Sequence, residues 1–180
     1  MTPVAGEKIK AARALCEKGL WPDMLAFAAK WQAENPVDAK AWFYHGAALA
    51  ATGRLVEAET SYRRALALDG TDVKAWNNLA TVLFEGLNRP GEAAACLERA
   101  LNLEPQNPLA WTNLASLNGQ LGRHARALEC AERALALEPT LVAAQLHRAR
   151  AAQFLGRKDV LREASQILAT LPPEQFRPAR

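Results

Sequence analysis

The fold is decided by three stretches of sequence that align with one another: residues 41–72 (AWFYHGAALAATGRLVEAETSYRRALALDGTD), residues 75–107 (AWNNLATVLFEGLNRPGEAAACLERALNLEPQN) and residues 110–140 (AWTNLASLNGQLGRHARALECAERALALEPT). Each copy opens on an Ala-Trp pair and carries alanines at matching places in its second half. The opening tryptophans are Trp42, Trp76 and Trp111. Self-similarity at a nearly fixed interval is the sequence signature of a repeat protein.

The spacing of apolar and small side chains predicts two helices in each copy. In residues 41–72 the side chains of Trp42, His45, Gly46 and Leu49 fall at i, i+3, i+4 and i+7, and Leu55, Ala58, Tyr62, Ala65 and Leu66 share one helical face in the second half; this is the pattern of an amphipathic helix. Gly53, and Gly122 in the third copy, separate the two halves. A single hairpin cannot bury its own apolar faces, so neighbouring hairpins are expected to stack.

The aligned copies resemble the tetratricopeptide repeat, whose unit of about 34 residues carries a tryptophan, a leucine–glycine pair, alanines and a closing proline. Pro105 and Pro139 close two copies, and Gly70 takes that place in the first. Extending the frame outward adds a weaker copy at each end. The units are then 5–38, 39–72, 73–107, 108–141 and 142–175, with a tail at 176–180. The resemblance implies an all-α fold, a right-handed α–α superhelix of about five helical hairpins, as one domain over residues 1–180.

Two departures from the repeat carry their own predictions. The third unit is one residue longer, and we place the extra residue in GLNRPGEAAA (86–95), as a longer turn with Pro90 in the first turn of the next helix. Lys8 and Gln145 stand where the inner units have tryptophan. Polar substitutions of this kind are typical of capping repeats at the ends of a stack.

Composition and charge exclude several classes of protein. The 22 basic and 19 acidic residues are interspersed and give a net charge of +3, without the basic stripe of a nucleic-acid-binding surface. No apolar run has the length of a signal-peptide core or a membrane span. We therefore expect a cytoplasmic protein without membrane insertion, a trimmed periplasmic or membrane-tethered domain being the alternative.

The cysteines and histidines do not form a metal or catalytic pattern. Cys16, Cys96 and Cys130 are odd in number and lack a CxxC motif, so free thiols are expected. Cys96 and Cys130 occupy equivalent places in adjacent units, which the helix spacing of about 8–10 Å holds too far apart for a disulfide.

The histidines lie in separate units. We expect His45 to be packed, His124 to be solvated at a helix start, and none of the three, His147 included, to share a metal. Neither a nucleophile elbow nor a phosphate-binding loop is present. The chain is therefore predicted to be no enzyme and to need no cofactor.

Aromatic and basic residues recur with the repeat. The resemblance assigns Trp42, Trp76 and Trp111 to the core, whereas Trp21 and Trp31 lie off that position and are candidates for an exposed contact. A basic residue recurs in successive second helices, at Lys30, Arg64, Arg99 and Arg133. We interpret that outer row as a solvated face with i,i+4 ion pairs, such as Glu59–Arg63 and Glu129–Arg133; a surface for acidic lipid or a partner is the alternative.

The resemblance also implies a concave groove lined by the first helix of each unit. The residues predicted to contact a partner there are Lys40, Phe43, Tyr44, Lys74, Asn77, Asn78, Thr81, Glu85, Thr112, Asn113, Ser116, Gln120, His147 and Arg150. Simple solvation is the alternative for each of them.

Asn78 and Asn113 are equivalent, and their carboxamides can both donate to and accept from a peptide backbone. Three of the predicted groove residues, Lys40, Lys74 and Arg150, are basic, and one, Glu85, is acidic. This balance favours a partner segment that is acidic or that ends in a chain terminus. Phe43, Phe84 and Phe154 would add apolar contact. The carboxylate clamp of chaperone cofactors is not matched, since Ile9, Arg13 and Tyr44 stand where it needs lysine and asparagine.

These features predict a non-catalytic adaptor or scaffold that binds a peptide segment of a partner protein in the groove. One alternative is a homo-oligomer, a self-assembling scaffold, motivated by Phe176 in a tail whose two consecutive prolines cannot continue a helix. Another is a regulatory domain of a larger enzyme or of a secretion or assembly system.

Overall fold

The computed structural model is built of helices throughout the part of the chain that it describes, residues 3–170. The helices are α1 (Pro3–Glu17), α2 (Trp21–Glu34), α3 (Ala39–Ala51), α4 (Leu55–Leu68), α5 (Val73–Thr81), α6 (Pro90–Leu103), α7 (Pro108–Gln120), α8 (His124–Leu137), α9 (Val142–Phe154) and α10 (Lys158–Thr170). A π-helical segment, Val82–Gly86, follows α5 directly. No strand occurs within the described range. The predicted all-α helical-repeat class is confirmed.

The connections between helices alternate in length along the chain. Three residues join the two helices of each hairpin, as at 52–54 and 121–123, and four residues join one hairpin to the next, as at 69–72 and 138–141. The helices fall into two compact units, one ending at Ala93 and the other starting at Ala94. In the first unit α3 packs against α2 and α4; in the second, α7 packs against α8 and α9, and α9 against α10. That residues 1–180 form a single domain of five repeats stays a prediction.

Side-chain caps define where three of the first helices, α3, α5 and α7, begin. Asp38 precedes α3, Asp72 precedes α5 and Asn107 precedes α7, and each accepts hydrogen bonds from backbone N–H groups of the first helical turn. For Asn107 the bond from the Ala110 N–H is 2.9 Å long. Such caps satisfy donors that have no partner within the helix, and each is worth about 1 kcal/mol.

The three-residue turns depend on a left-handed residue at their centre. Gly19, Gly53, Gly122 and Gly156 occupy that place with φ between 67° and 79°, a conformation that costs glycine nothing. In the third hairpin the central residue is Asn88, with φ of 52°. Asparagine adopts this region more readily than other residues with a Cβ, so this turn, 87–89, has the same length as the others.

The extra residue of the third repeat therefore does not lengthen the turn, and that prediction is wrong. The nine residues of α5 and the five of the π segment form one continuous helical element, one residue longer than the 13 residues of α3 and of α7. The π segment takes up the insertion inside the first helix. Pro90 does begin α6, as predicted.

The repeat tryptophans lie at the turns rather than in the centre of the core. Trp42, Trp76 and Trp111 are half-buried, and each indole N–H donates to the backbone carbonyl six residues earlier, at 2.9, 3.0 and 2.9 Å. The prediction that they are core residues is corrected accordingly. Each tryptophan fastens the start of its own first helix to the preceding inter-hairpin connection.

Gln145, which stands at the tryptophan position of the last repeat, forms the same hydrogen bond as the repeat tryptophans do. Its side-chain N–H group donates to the carbonyl of Pro139, again six residues earlier, at 3.4 Å, and the residue is only 3% exposed. Gln145 is thus a buried residue that hydrogen-bonds the preceding connection, and not the exposed polar substitution that is expected of an end cap. Lys8, at the same place in the first repeat, is half-buried and its ammonium lies 2.6 Å from Glu34 and 5.8 Å from the Trp31 ring centre.

Trp31 is the centre of the core of the first unit. It is buried, stacks on Tyr44 with ring centres 6.1 Å apart, and donates its indole N–H to Asp38 at 3.0 Å. The prediction of an exposed contact at Trp31 is wrong, because this ring fills the space between α2 and α3. Phe176 and the tail at 176–180 lie outside the described residues.

Candidate functional site

Three of the predicted contact residues are buried in the structure. Tyr44 and Asn77 are each 7% exposed, and Thr112 is buried as well. The Asn77 side-chain amide donates to the Val73 carbonyl at 3.2 Å, and the Thr112 hydroxyl to that of Pro108 at 2.8 Å. The side chains of Asn77 and Thr112 thus donate to carbonyls of their own helices. Fewer residues are therefore open to a partner than the sequence predicted.

The two asparagines that we predicted to hydrogen-bond a partner's peptide backbone differ in their surroundings. Asn78, in the first unit, is half-buried and donates to the Tyr62 hydroxyl at 3.3 Å. Burial raises the pKa of that phenol, which keeps it neutral and able to accept. Asn113, in the second unit, is half-buried and its side chain forms no hydrogen bond with any described residue. Of the two, Asn113 has its donor and acceptor available.

The basic residues of the first unit are also unequal. The Lys40 ammonium forms an ion pair with Asp72 at 2.7 Å and lies 5.8 Å from the Phe43 ring centre. Because Asp72 already neutralises it, Lys40 adds little net charge to this face. Lys74 and Glu85 are exposed, as is Thr81, whose hydroxyl donates to the Asn77 carbonyl at 3.2 Å.

The second unit gathers four predicted residues around one pocket. Ser116 and Gln120 from α7 and His147 and Arg150 from α9 line it. Its remaining polar side chain is His124, at the start of α8, and small residues such as Gly119 and Ala151 complete the wall. The volume is about 20 Å³, enough for one water-sized polar group. We refer to it as the α7–α9 pocket.

The α7–α9 pocket is rich in donors and contains no acidic side chain. Burial, and secondarily the positive charge of Arg150, lower the pKa of His147, so its imidazole is neutral near pH 7. Ser116, Gln120 and Arg150 form no side-chain hydrogen bond or ion pair with another residue of the range 3–170. The pocket therefore offers polar groups that the fold itself does not use.

His124 is the pocket residue that sequence reasoning did not select. We predicted it to be solvated, but its ring stacks on Phe154 with centres 4.1 Å apart and an interplanar angle of 1°. Phe154 is nevertheless 61% exposed. A flat aromatic surface thus borders the pocket at the end of α9.

The remaining candidate groups have structural roles. Ser61 donates its hydroxyl hydrogen to the Glu57 carbonyl, so the 3.0 Å contact with His45 Nδ1 is best made by a ring nitrogen that carries hydrogen. His45 is packed, as predicted, and burial lowers its pKa. Cys130 is a free buried thiol whose pKa burial raises to about 11. Within residues 3–170 no His, Cys, Asp and Glu cluster could hold a metal ion, and no helix is both long and apolar enough to cross a membrane.

The outer face carries ion pairs between neighbouring second helices. Glu59 pairs with Arg63 and Arg89, both at 2.8 Å, and the same two arginines also reach Glu92. The predicted pair Glu129–Arg133 forms at 3.3 Å, and the Arg133 guanidinium also lies over the Trp111 ring at 4.9 Å. These pairs agree with a solvated outer face, while Arg64 and Arg99 are exposed.

Three family models, each described as a tetratricopeptide repeat, match residues 10–73, 49–117 and 108–141. The chain is a tetratricopeptide repeat protein. Proteins of this family are protein-interaction scaffolds and are typically not catalytic. No curated protein sequence matches the chain.

Solved structures of tetratricopeptide repeat proteins share the fold. PilW, described as a widely conserved type IV pilus biogenesis factor, is 20% identical, with a TM-score of 0.85 over 97% of this chain and 82% of that one. PilF of Pseudomonas aeruginosa is 21% identical, with a TM-score of 0.84 over 96% and 77%. YrrB, described as having an unusual peptide-binding site, is 20% identical, with a TM-score of 0.70 over 94% and 87%. At these identities the likeness establishes the fold alone.

Proposed function

We propose that this protein is a non-catalytic adaptor that binds a peptide segment of a partner protein along the first helices of its repeats. The observation that carries the proposal is the α7–α9 pocket. The resemblance to the tetratricopeptide repeat predicted Ser116, Gln120, His147 and Arg150 as contact residues in two separate repeats. In the structure these side chains line one opening, and their hydrogen-bond donors have no partner among the described residues. Polar groups without internal partners are what a binding surface needs, because a ligand then replaces only water.

The second helices provide a contrast that supports this assignment. Some of their charged side chains are paired with each other, as Arg63 on α4 is with Glu59 and with Glu92 of α6. The first helices of the second unit instead present Asn113, with its amide unused, beside the pocket residues. YrrB, which has a peptide-binding site, shares the fold. The likeness to PilW makes an assembly system a reasonable first place to seek the partner. Cytoplasmic location stays a prediction.

Site-specific photo-crosslinking tests the proposal. A benzophenone amino acid is placed at Gln120, which is exposed at the pocket, or at Arg162, which is exposed on α10 and does not line it. After irradiation in a lysate of the source cell, mass spectrometry identifies the crosslinked peptides. We expect the Gln120 position to capture one short contiguous segment of a partner, and the Arg162 position not to.

Other outcomes distinguish the alternatives. Equal capture from both positions would refute binding by the first-helix face. Capture of a second copy of this chain from Gln120 would establish the self-assembling scaffold instead. No described residue specifically favours that alternative, since Phe176 lies outside the described range.

A further inference from the structure

We infer that the α7–α9 pocket binds a carboxylate group, supplied by an acidic side chain or by the C-terminus of the partner segment. The inference rests on the proposed function and specifies the chemistry that the site recognises. It is drawn from the positions and bonding of Ser116, Gln120, His147 and Arg150 within the second unit.

The charge of the pocket comes from Arg150. Arg148, two residues earlier on α9, is held by Glu163 at 2.7 Å, but Arg150 forms no ion pair within residues 3–170 and is exposed. A guanidinium presents planar N–H donors that match the two oxygens of a carboxylate. Because no acidic residue lines the pocket, its positive charge is not neutralised internally.

The neutral groups of the pocket complement the same ligand. Ser116 and Gln120, one α-helical turn apart on α7, bring a hydroxyl and a carboxamide to the opening opposite Arg150. An ionised carboxylate only accepts hydrogen bonds, so it can use each of these donors. An ammonium group would meet Arg150 as a like charge. The volume of about 20 Å³ admits one water-sized group, such as a single carboxylate oxygen, while the rest of the carboxylate lies at the opening.

The aromatic surface beside the pocket extends the prediction to the neighbouring residue of the ligand. Phe154 is exposed while its ring is stacked on His124, whose imidazole lines the opening. An apolar side chain next to the bound carboxylate would cover this surface. The recognised segment is therefore an acidic group adjacent to an apolar residue.

Binding should strengthen as the pH falls through the range where His147 titrates. The charged and titratable side chains that line the pocket with His147 are Arg150 on the same helix and His124 from α8. The helix α7 contributes only the neutral Ser116 and Gln120, and no residue of α10 lines the pocket. A bound carboxylate favours the protonated imidazole and so opposes the effect of Arg150 on the His147 pKa. By linkage, protonation of His147 must favour the carboxylate in return.

The experiment is an NMR titration of the full chain with acetate, using acetamide as the uncharged probe of the same shape, at constant ionic strength. We expect acetate to give saturable shifts of the His147 and Arg150 side-chain signals and to raise the pKa of His147, and acetamide to do neither. Arg150→Gln should weaken acetate binding by about tenfold or more. Arg162→Gln removes the same charge on α10 and should leave it unchanged.

Two further probes separate the sources of the carboxylate. The peptide acetyl-Ala-Ala-Glu-Phe-Ala-amide offers a side-chain carboxylate, and acetyl-Ala-Ala-Gln-Phe with a free C-terminus offers a terminal one; acetyl-Ala-Ala-Gln-Phe-Ala-amide offers neither. The tighter of the first two identifies the source. Equal binding of all three, equal shifts from acetamide and acetate, or full acetate affinity in a folded Arg150→Gln variant would each overturn the inference.

Failure of the inference differs from failure of the adaptor function. If acetate does not bind but the Gln120 position still captures a partner segment, the adaptor function stands and the carboxylate chemistry is wrong. If acetate binds and no partner segment is captured, the adaptor function is wrong.

Discussion

Replacing Gly46 with alanine tests how tightly α3 and α4 are packed. A Cβ at Gly46 would lie 3.0, 3.1 and 3.2 Å from Cδ1, Cε1 and Cγ of Tyr62. These distances are a few tenths of an ångström shorter than ordinary contacts between carbon atoms, which are about 3.5–4.0 Å. The Tyr62 ring has little room to yield, because it is 2% exposed, packs against the Phe43 ring, and accepts a hydrogen bond from Asn78.

Two effects of opposite sign decide the result. Forcing an extra methyl group into a packed core costs about 1–3 kcal/mol. Replacing glycine by alanine inside a helix returns about 0.5–1 kcal/mol. These ranges combine to about 0–2.5 kcal/mol, and from their midpoints we expect Gly46→Ala to reduce the free energy of unfolding by about 1 kcal/mol. Each kcal/mol lowers Tm by roughly 2–4 °C in a chain of this size.

Gly91→Ala is the matched control for this measurement. Gly91 lies in the first turn of α6, and a Cβ there meets nothing within 4 Å. The same substitution should therefore leave the protein as stable as the parent or slightly more stable. Both variants are compared by urea and thermal unfolding followed by circular dichroism. If Gly46→Ala proves as stable as Gly91→Ala, the Tyr62 ring moves freely and the packing argument is refuted.

Three further predictions follow from local geometry. The free energy of unfolding should decrease as the pH falls below about 6.5, because burial lowers the pKa of His45 and only the unfolded chain takes up the proton there. Urea titrations between pH 5 and 8 measure this. His45→Leu should reduce the slope of the free energy of unfolding against pH. Asn88→Gly should leave stability unchanged or raise it, since glycine adopts φ of 52° without strain, and a marked loss of Tm would contradict that reason for the turn. Asn78→Ala should cost about 1 kcal/mol by removing the donor to Tyr62, whereas Asn113→Ala should be neutral; equal losses in chemical unfolding would count against the assigned hydrogen bond.

The sequence predicts the hairpins well because the repeat supplies several copies of the same evidence. It misplaced the extra residue of the third repeat because length alone does not say whether an insertion lies in a turn or in a helix. A usable signal was present. The turns Leu87-Asn88-Arg89, Leu121-Gly122-Arg123 and Leu155-Gly156-Arg157 share one pattern. Aligning the repeats on it puts the insertion before Leu87, inside the helix.

The site was predictable only in part, for geometric reasons. The resemblance to the tetratricopeptide repeat selects positions on the first helix of each repeat, so it predicted Ser116 and Arg150. It could not predict His124, which begins α8, the second helix of its repeat. It also does not resolve neighbouring positions, which are about 100° apart around a helix. Asn77 is buried beside the half-buried Asn78 for that reason. Pairings such as Lys40 with Asp72 depend on contacts between helices that spacing within one helix does not reveal.

The π-helical segment Val82–Gly86 has a consequence for how such a gene can change. One added residue in an α-helix turns everything after it by about 100°, which would point the apolar side chains of the following turn away from their neighbours. Here the wider turn distributes that rotation over five residues, and the next turn and helix start where they do in the other repeats. A one-codon insertion at this place in the gene therefore leaves the position of the following turn and helix unchanged.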